Sequence, residues 1–325
     1  MIINVNEVEK MVNIKEIKSI QLSPFTLMSS SLASILAFIY SIIILIISGI
    51  LIAFVPQLEF FRELIAGLGI ASVIILPISA YFIILAVSFF TALLYNCLAS
   101  RIGGIKLGLE NTEVTRISII QFSFVLAIIE AIWAFIIGLF SSATITPFTT
   151  IISNEIPFVF ITVNNALKTT GISLPINLSL GIDGVTIAIF LIVGLPLAVF
   201  IFGLVSNAIF ALFYNYIATR FIKIQLEFKV ISGTLNELKS LPVVPTAAPI
   251  SGAVFATLGV IMGLISLLSL AATGNSSVGN IVNDIIILII NGLSYFITYF
   301  LFFALISVIY NFLSPRIGGI KLNLE

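Results

Sequence analysis

Six stretches almost free of charge run along the chain, at about 25–55, 69–99, 121–146, 185–218, 247–273 and 285–314. A helix needs roughly 20 apolar residues to cross a ~30 Å hydrocarbon core, so this pattern predicts six transmembrane helices. The second, fourth and sixth stretches are longer than a minimal span and are expected to tilt or to project past the headgroups. After these three the period changes. Ile105, Leu107 and Leu109 alternate with Lys106, Gly108 and Glu110. Ile224, Leu226 and Phe228 alternate with Gln225, Glu227 and Lys229, and Ile320, Leu322 and Leu324 with Lys321, Asn323 and Glu325. Alternation with period two predicts half-buried strands.

These segments belong to phrases that recur in register. The second, fourth and sixth stretches close on YNCLASRIGGIKLGLE (95–110), YNYIATRFIKIQLEFK (214–229) and YNFLSPRIGGIKLNLE (310–325). Related phrases precede the first, third and fifth: EIKSIQLSP (16–24), EVTRISIIQ (113–121) and ELKSLPVVP (237–245). Self-similarity at a regular interval marks an internal repeat. The expected architecture is an all-α transmembrane bundle of six helices, made of three tandem strand-helix-helix-strand modules at 1–110, 111–230 and 231–325. Two helices per module return the chain to its starting side, so the copies are parallel and pseudo-threefold. Six short strands on one membrane face would pair into a small β cap that satisfies their backbone groups. Gly-Gly gives a tight helix-to-strand turn in two copies. The middle copy has Ile222-Lys223 there, so its turn should differ.

Charge gives the orientation. Twelve of the 14 basic residues lie on the strand side, and only Arg62 and Lys168 lie opposite. The positive-inside bias places both termini and the cap in the cytoplasm of a multi-pass cell-membrane protein. The first residues are charged and alternating, unlike a cleaved signal peptide. Two Asn-x-Ser sequons, at Asn177 and Asn275, fall in opposite-side loops, compatible with N-glycosylation. Residues 56–68 carry Leu58, Phe61, Leu64, Ile65 and Leu68 at helical spacing, which predicts a short interfacial helix. Residues 147–184 read as the largest loop, with an apolar patch at 156–163 that suits a strand, a re-entrant piece or a partner contact. A short polar loop is expected around 273–284.

Composition narrows the chemistry. The chain is 60% hydrophobic and 9% charged, with zero formal net charge and a mean hydropathy of +1.27. That profile is remote from a soluble domain and offers no basic footprint for nucleic acid. There is no histidine, and Cys97 is the single cysteine. His-ligated haem, Cys/His zinc, Fe–S ligation and histidine-based nucleophilic pairs are excluded. No cofactor and no catalytic or metal-binding residue is expected, and the chain does not read as an enzyme.

Few residues remain as candidates for a site. Glu130 is the one acid well inside a span, beside the small residues Ser123, Ala127 and Ala134. A membrane-embedded carboxylate costs at least ~2.5 kcal/mol and is a candidate ion or proton group. The alternative is a side chain hydrogen-bonded to a neighbouring Ser or Asn. Tyr95-Asn96, Tyr214-Asn215 and Tyr310-Asn311, with Arg101, Arg220 and Arg316, read as structural anchors at the cytoplasmic helix ends; a headgroup site is the lesser reading. Small-residue stripes run along the first, third and fifth spans: Ser30, Ser34, Ala37 and Ser41; Ser123, Ala127, Ala131, Ala134 and Gly138; Gly252, Ala256, Gly259 and Gly263. Such stripes let helices approach closely in lipid, and packing is preferred over a pore lining. Pro77 and Pro196 interrupt equivalent places, where the third copy has Gly292; shared bends are expected.

The entry LSPF (22–25) and the closing YNCLASRIGGIKLGLE and YNFLSPRIGGIKLNLE resemble an uncharacterised family of small two-helix bacterial membrane proteins, best known from actinobacteria. The resemblance covers the module ends and implies architecture, with no catalytic residue. The expected role is a structural or accessory subunit, with the lipid bilayer and other membrane subunits as partners. The competing expectation is a small-solute or ion channel or transporter, with a path along the threefold axis and Glu130 as its ion or proton group.

Overall fold

A computed structural model describes the backbone of residues 13–54, 62–168, 184–273 and 278–325, with side chains throughout except 146–168 and 264–292. Among these residues six helices dominate: α1 (Leu22–Phe54), α2 (Arg62–Ile102), α3 (Ile119–Lys168), α4 (Gly184–Phe221), α5 (Val243–Thr273) and α6 (Val278–Ile317). Each contains a stretch long and apolar enough to cross a membrane. Their outward faces carry large apolar side chains, such as Ile74, Phe82, Phe140 and Leu301, as a lipid-facing surface requires.

Seven strands accompany them: β1 (Asn13–Ile20), β2 (Lys106–Glu110), β3 (Glu113–Ile117), β4 (Ile224–Gln225), β5 (Glu227–Ser232), β6 (Leu235–Ser240) and β7 (Lys321–Leu324). They form one antiparallel half-barrel sheet in the order β4-β3-β2-β1-β7-β6-β5. The description all-α is therefore too narrow, because the cap is a full sheet. The exit strand expected in the middle copy is split at Leu226. Its first piece pairs with β3 and its second with β6. At the break, the Leu226 N–H donates to the Thr112 carbonyl at 2.7 Å. Asn111 and Gly233, at φ 55° and 53°, supply the left-handed positions of the β2–β3 and β5–β6 hairpins.

The apolar sides of the strands meet the helix ends. Val114, Ile117 and Ile224 pack with Tyr214, Ala211 and Ala253. Leu238 packs with Met28, Ile309, Tyr310 and Leu313. Residues up to Val125 and from Ala208 onward form one compact unit, which holds the whole sheet. Leu126–Asn207 form a second.

Two expectations are corrected. Helix α3 continues to Lys168, so most of the predicted loop at 147–184, including the patch at 156–163, is helical. Its Thr, Ser and Asn content suggested a loop, yet these residues tolerate a helix whose apolar majority persists. No separate interfacial helix appears among the described residues: α2 starts at Arg62 and absorbs Leu64, Ile65 and Leu68, while Leu58 and Phe61 lie outside them. At Pro196 the helix answers with a π turn at Phe190–Gly194, a wider loop that accommodates the missing N–H.

Candidate functional site

The Tyr-Asn pairs are the most organised polar groups in the molecule. Near the end of α2 the Tyr95 hydroxyl donates to the Ile17 carbonyl at 2.7 Å and accepts from the Ile105 N–H at 3.1 Å. Asn96 accepts from the Ile20 N–H at 2.7 Å and donates to the Ile20 carbonyl at 2.9 Å. One clasp thus ties the helix end to the strand before α1 and to the segment opening β2. The same bonds recur near the end of α4. Tyr214 bridges Val114 and Ile224, and Asn215 holds both backbone groups of Ile117. Near the end of α6, Tyr310 bridges Leu238 and Ile320, and Asn311 holds Leu241. All three tyrosines are buried. Buried hydroxyls and amides need such partners, and here each tyrosine and each asparagine both donates and accepts one.

Three glutamates complete the clasps, and the sequence reading missed them. Glu16 accepts the Gly104 N–H at 2.8 Å, and Glu237 accepts the Gly319 N–H at 2.7 Å. The Gly104 bond is the main reason the Glu16 carboxyl sits below its ordinary range, with Lys18 assisting against desolvation. In the middle turn Lys223 stands where the second glycine would be. Its ammonium donates to Glu113 at 2.8 Å and lies 3.6 Å from Glu110. Hydrogen bonding to Glu113 raises the Lys223 pKa. The signal was present: each entry phrase opens on a glutamate (Glu16, Glu113, Glu237).

Gly-Gly is demanded by geometry. Gly103 and Gly318 have φ of 87° and 83°, the left-handed region where a Cβ is costly. A Cβ on Gly104 would stand 2.0 Å from the Ile17 carbonyl oxygen, and one on Gly319 2.0 Å from that of Leu238. The middle turn differs, as the sequence led one to expect. There α4 widens into a π turn at Tyr214–Ala218 and leaves through Ile222 in extended conformation, φ −146°. Arg101, Arg220 and Arg316 each occupy the last helical turn and are exposed. Arg316 stacks on Phe312 with its guanidinium 3.7 Å from the ring centroid. The structure does not bring the three arginines into a described contact.

Glu130, in the second unit, is half-buried. The Asn207 amide donates to its Oε1 at 3.1 Å. A Cβ at Gly203 would lie 2.2 Å from its Oε2, so that glycine makes the room for the carboxyl group. The neutral amide thus supplies one hydrogen bond to the carboxyl group.

The stripes divide. Ser30, Ser41, Ser123, Ala127 and Ala134 are buried, Ser34 donates to the Pro77 carbonyl at 3.0 Å, and Gly138 lies against the backbone of Leu191. Packing accounts for these. On α5, a Cβ on Gly252, Gly259 or Gly263 would meet nothing within 4 Å among the described residues. Gly252 and Ala256 instead border an open apolar groove of about 590 Å³ shared with Phe213, Phe221 and Phe296.

Asn177 and Asn275 lie outside the described residues. Of the polar loop expected around 273–284, 274–277 lie outside them, and the rest is corrected to helix, since α5 runs to Thr273 and α6 starts at Val278. Cys97 is exposed. Among the described residues no three metal-ligating side chains come together. No protein family, curated protein or solved structure matches the chain.

Proposed function

We propose that the chain is a membrane-embedded structural or accessory subunit, made of three strand-helix-helix-strand modules with pseudo-threefold symmetry around a cytoplasmic β cap. The observation that carries this reading is the use made of the recurring polar motif. The opening Tyr-Asn pair of each of the three phrases is used to tie a helix end to the cap. A group with its hydrogen-bonding capacity so committed stabilises a frame and has little left for chemistry. In each clasp the tyrosine hydroxyl accepts from the backbone N–H ten residues further on, which supports the modular reading, as does the family resemblance of the phrases themselves. The bias of Lys and Arg toward the strand side supports cytoplasmic termini. Isolation from native membranes tests the role directly. A stoichiometric protein partner that survives extraction is expected, and recovery of a solitary chain under mild extraction overturns the subunit reading.

The second reading is a channel or transporter, favoured by a single observation, the Glu130–Asn207 pair inside a span. Flux of protons and small cations into liposomes containing the chain discriminates the two. Flux that Glu130→Gln abolishes would replace the structural reading.

A further inference from the structure

On the polar side of the sheet, Ile14, Gly108 and Arg116 stand in one row across β1, β2 and β3. Lys106 follows two residues along β2 on the same side, and its carbonyl accepts the Ser118 N–H at 2.9 Å. The pairing slips between Gly108 and Leu109, so Thr115 bulges out and donates to the Gly108 carbonyl at 3.1 Å. Together with Ile119 and Ile120 at the start of α3, these residues line a groove of about 580 Å³. Gly108 is its floor, because it has no side chain to fill the row.

Two other cross-strand pairs hold the same place relative to a clasp, three residues beyond Ile224 and Ile320 as Gly108 is beyond Ile105. They are Glu227 with Ser240 and Asn323 with Ser19. In both, the two side chains hydrogen-bond each other and occupy the space. At the third place a glycine faces an exposed arginine, so no pair of side chains fills the position and its one charge is positive. The groove lining holds Lys106 and Arg116 and no carboxylate. Two acids flank it: Glu16, the cross-strand neighbour of Lys106, is held by Gly104 and Lys18, and Glu110, two residues beyond Gly108 on β2, lies 3.6 Å from the Lys223 ammonium. Ile120 is 78% exposed at the first turn of a membrane-length span, which sets the groove at headgroup level.

We propose that this groove binds the phosphate-bearing headgroup of an anionic membrane lipid, with Lys106 and Arg116 on the phosphate and the start of the acyl chains over Ile119 and Ile120. The inference rests on the membrane reading of the six helices and is independent of any subunit role. Basic recesses at the cytoplasmic ends of spans suit such headgroups, and each surface cation contributes about five-fold in affinity. The test is lipid titration of the detergent-purified full chain by native mass spectrometry. Phosphatidylglycerol should bind about ten-fold more tightly than phosphatidylcholine. Lys106→Gln and Arg116→Gln should each weaken phosphatidylglycerol about five-fold and phosphatidylcholine by less, while Arg116→Lys and the strand-side Lys229→Gln keep affinity within about two-fold. Equal binding of both lipids, or unchanged affinity in both glutamine variants, overturns the site. Displacement of the lipid by millimolar inorganic phosphate would reassign it to a soluble phosphate ester. Recovery of the chain from carbonate-washed membranes tests the underlying membrane reading separately.

Discussion

The turn leaving α4 and those leaving α2 and α6 perform one task with different chemistry. After α2 and α6 the helix stops on a left-handed glycine, and a second glycine lets the chain pass against a strand carbonyl while its N–H caps a glutamate. After α4 the helix first loosens into a π turn and then leaves in extended geometry, and the glutamate is met by Lys223. The tyrosine and asparagine bonds are unchanged across all three. The clasp is therefore the invariant part, and the turn is free to vary as long as something answers the glutamate.

Substitutions can break this comparison, beginning with the severest. Gly104→Ala and Gly319→Ala force a methyl group onto a backbone oxygen, and each should lose about 3 kcal/mol or more, read as lowered thermal stability in detergent. Alanine at Lys223 should produce no such collapse. Next, Tyr95→Phe, Tyr214→Phe and Tyr310→Phe each strand a buried carbonyl and N–H, at about 1–3 kcal/mol. Similar losses at the three sites are expected; a tyrosine that could be replaced freely would show that its clasp is not equivalent to the others. Gly103→Ala should cost about 1 kcal/mol for its left-handed backbone. Lys223→Met should cost less than about 1 kcal/mol, because the ion pair is partly solvated.

Changing pH separates the two kinds of turn without mutation. The Glu16 carboxyl is held below its ordinary range, so its stabilisation is complete above that range and is lost as pH falls through the folded value. Lys223 is raised above 10.5, so its contribution is complete below that pH and is lost as pH rises through the folded value. Hydrogen exchange at the Gly104 amide should speed up in acid beyond the intrinsic rate, and at the Ile224 amide in alkali.

Much of this arrangement was legible in the sequence because it repeats. The six spans, the Tyr-Asn positions and the odd middle turn follow from apolar length, period and register. Glu16, Glu113 and Glu237 escaped notice because their partners are distant backbone amides or a lysine that occurs in one copy. The end of α3 was misplaced because local composition weighs little against the continuation of a helix already under way. The open face of α5 was hidden for a different reason: a stripe of small residues reads the same whether or not another helix covers it.

The pairing of Ile17 with Leu324 has a consequence for biogenesis. Strand β1 is synthesised early, yet one of its two neighbours is β7, the last described strand to be made. Until then its outer edge offers unpaired amides and carbonyls near the ribosome, a template for wrong partners. The cap should accordingly be completed only after all six helices have been inserted, and chains stalled before β7 should be the ones that proteases remove.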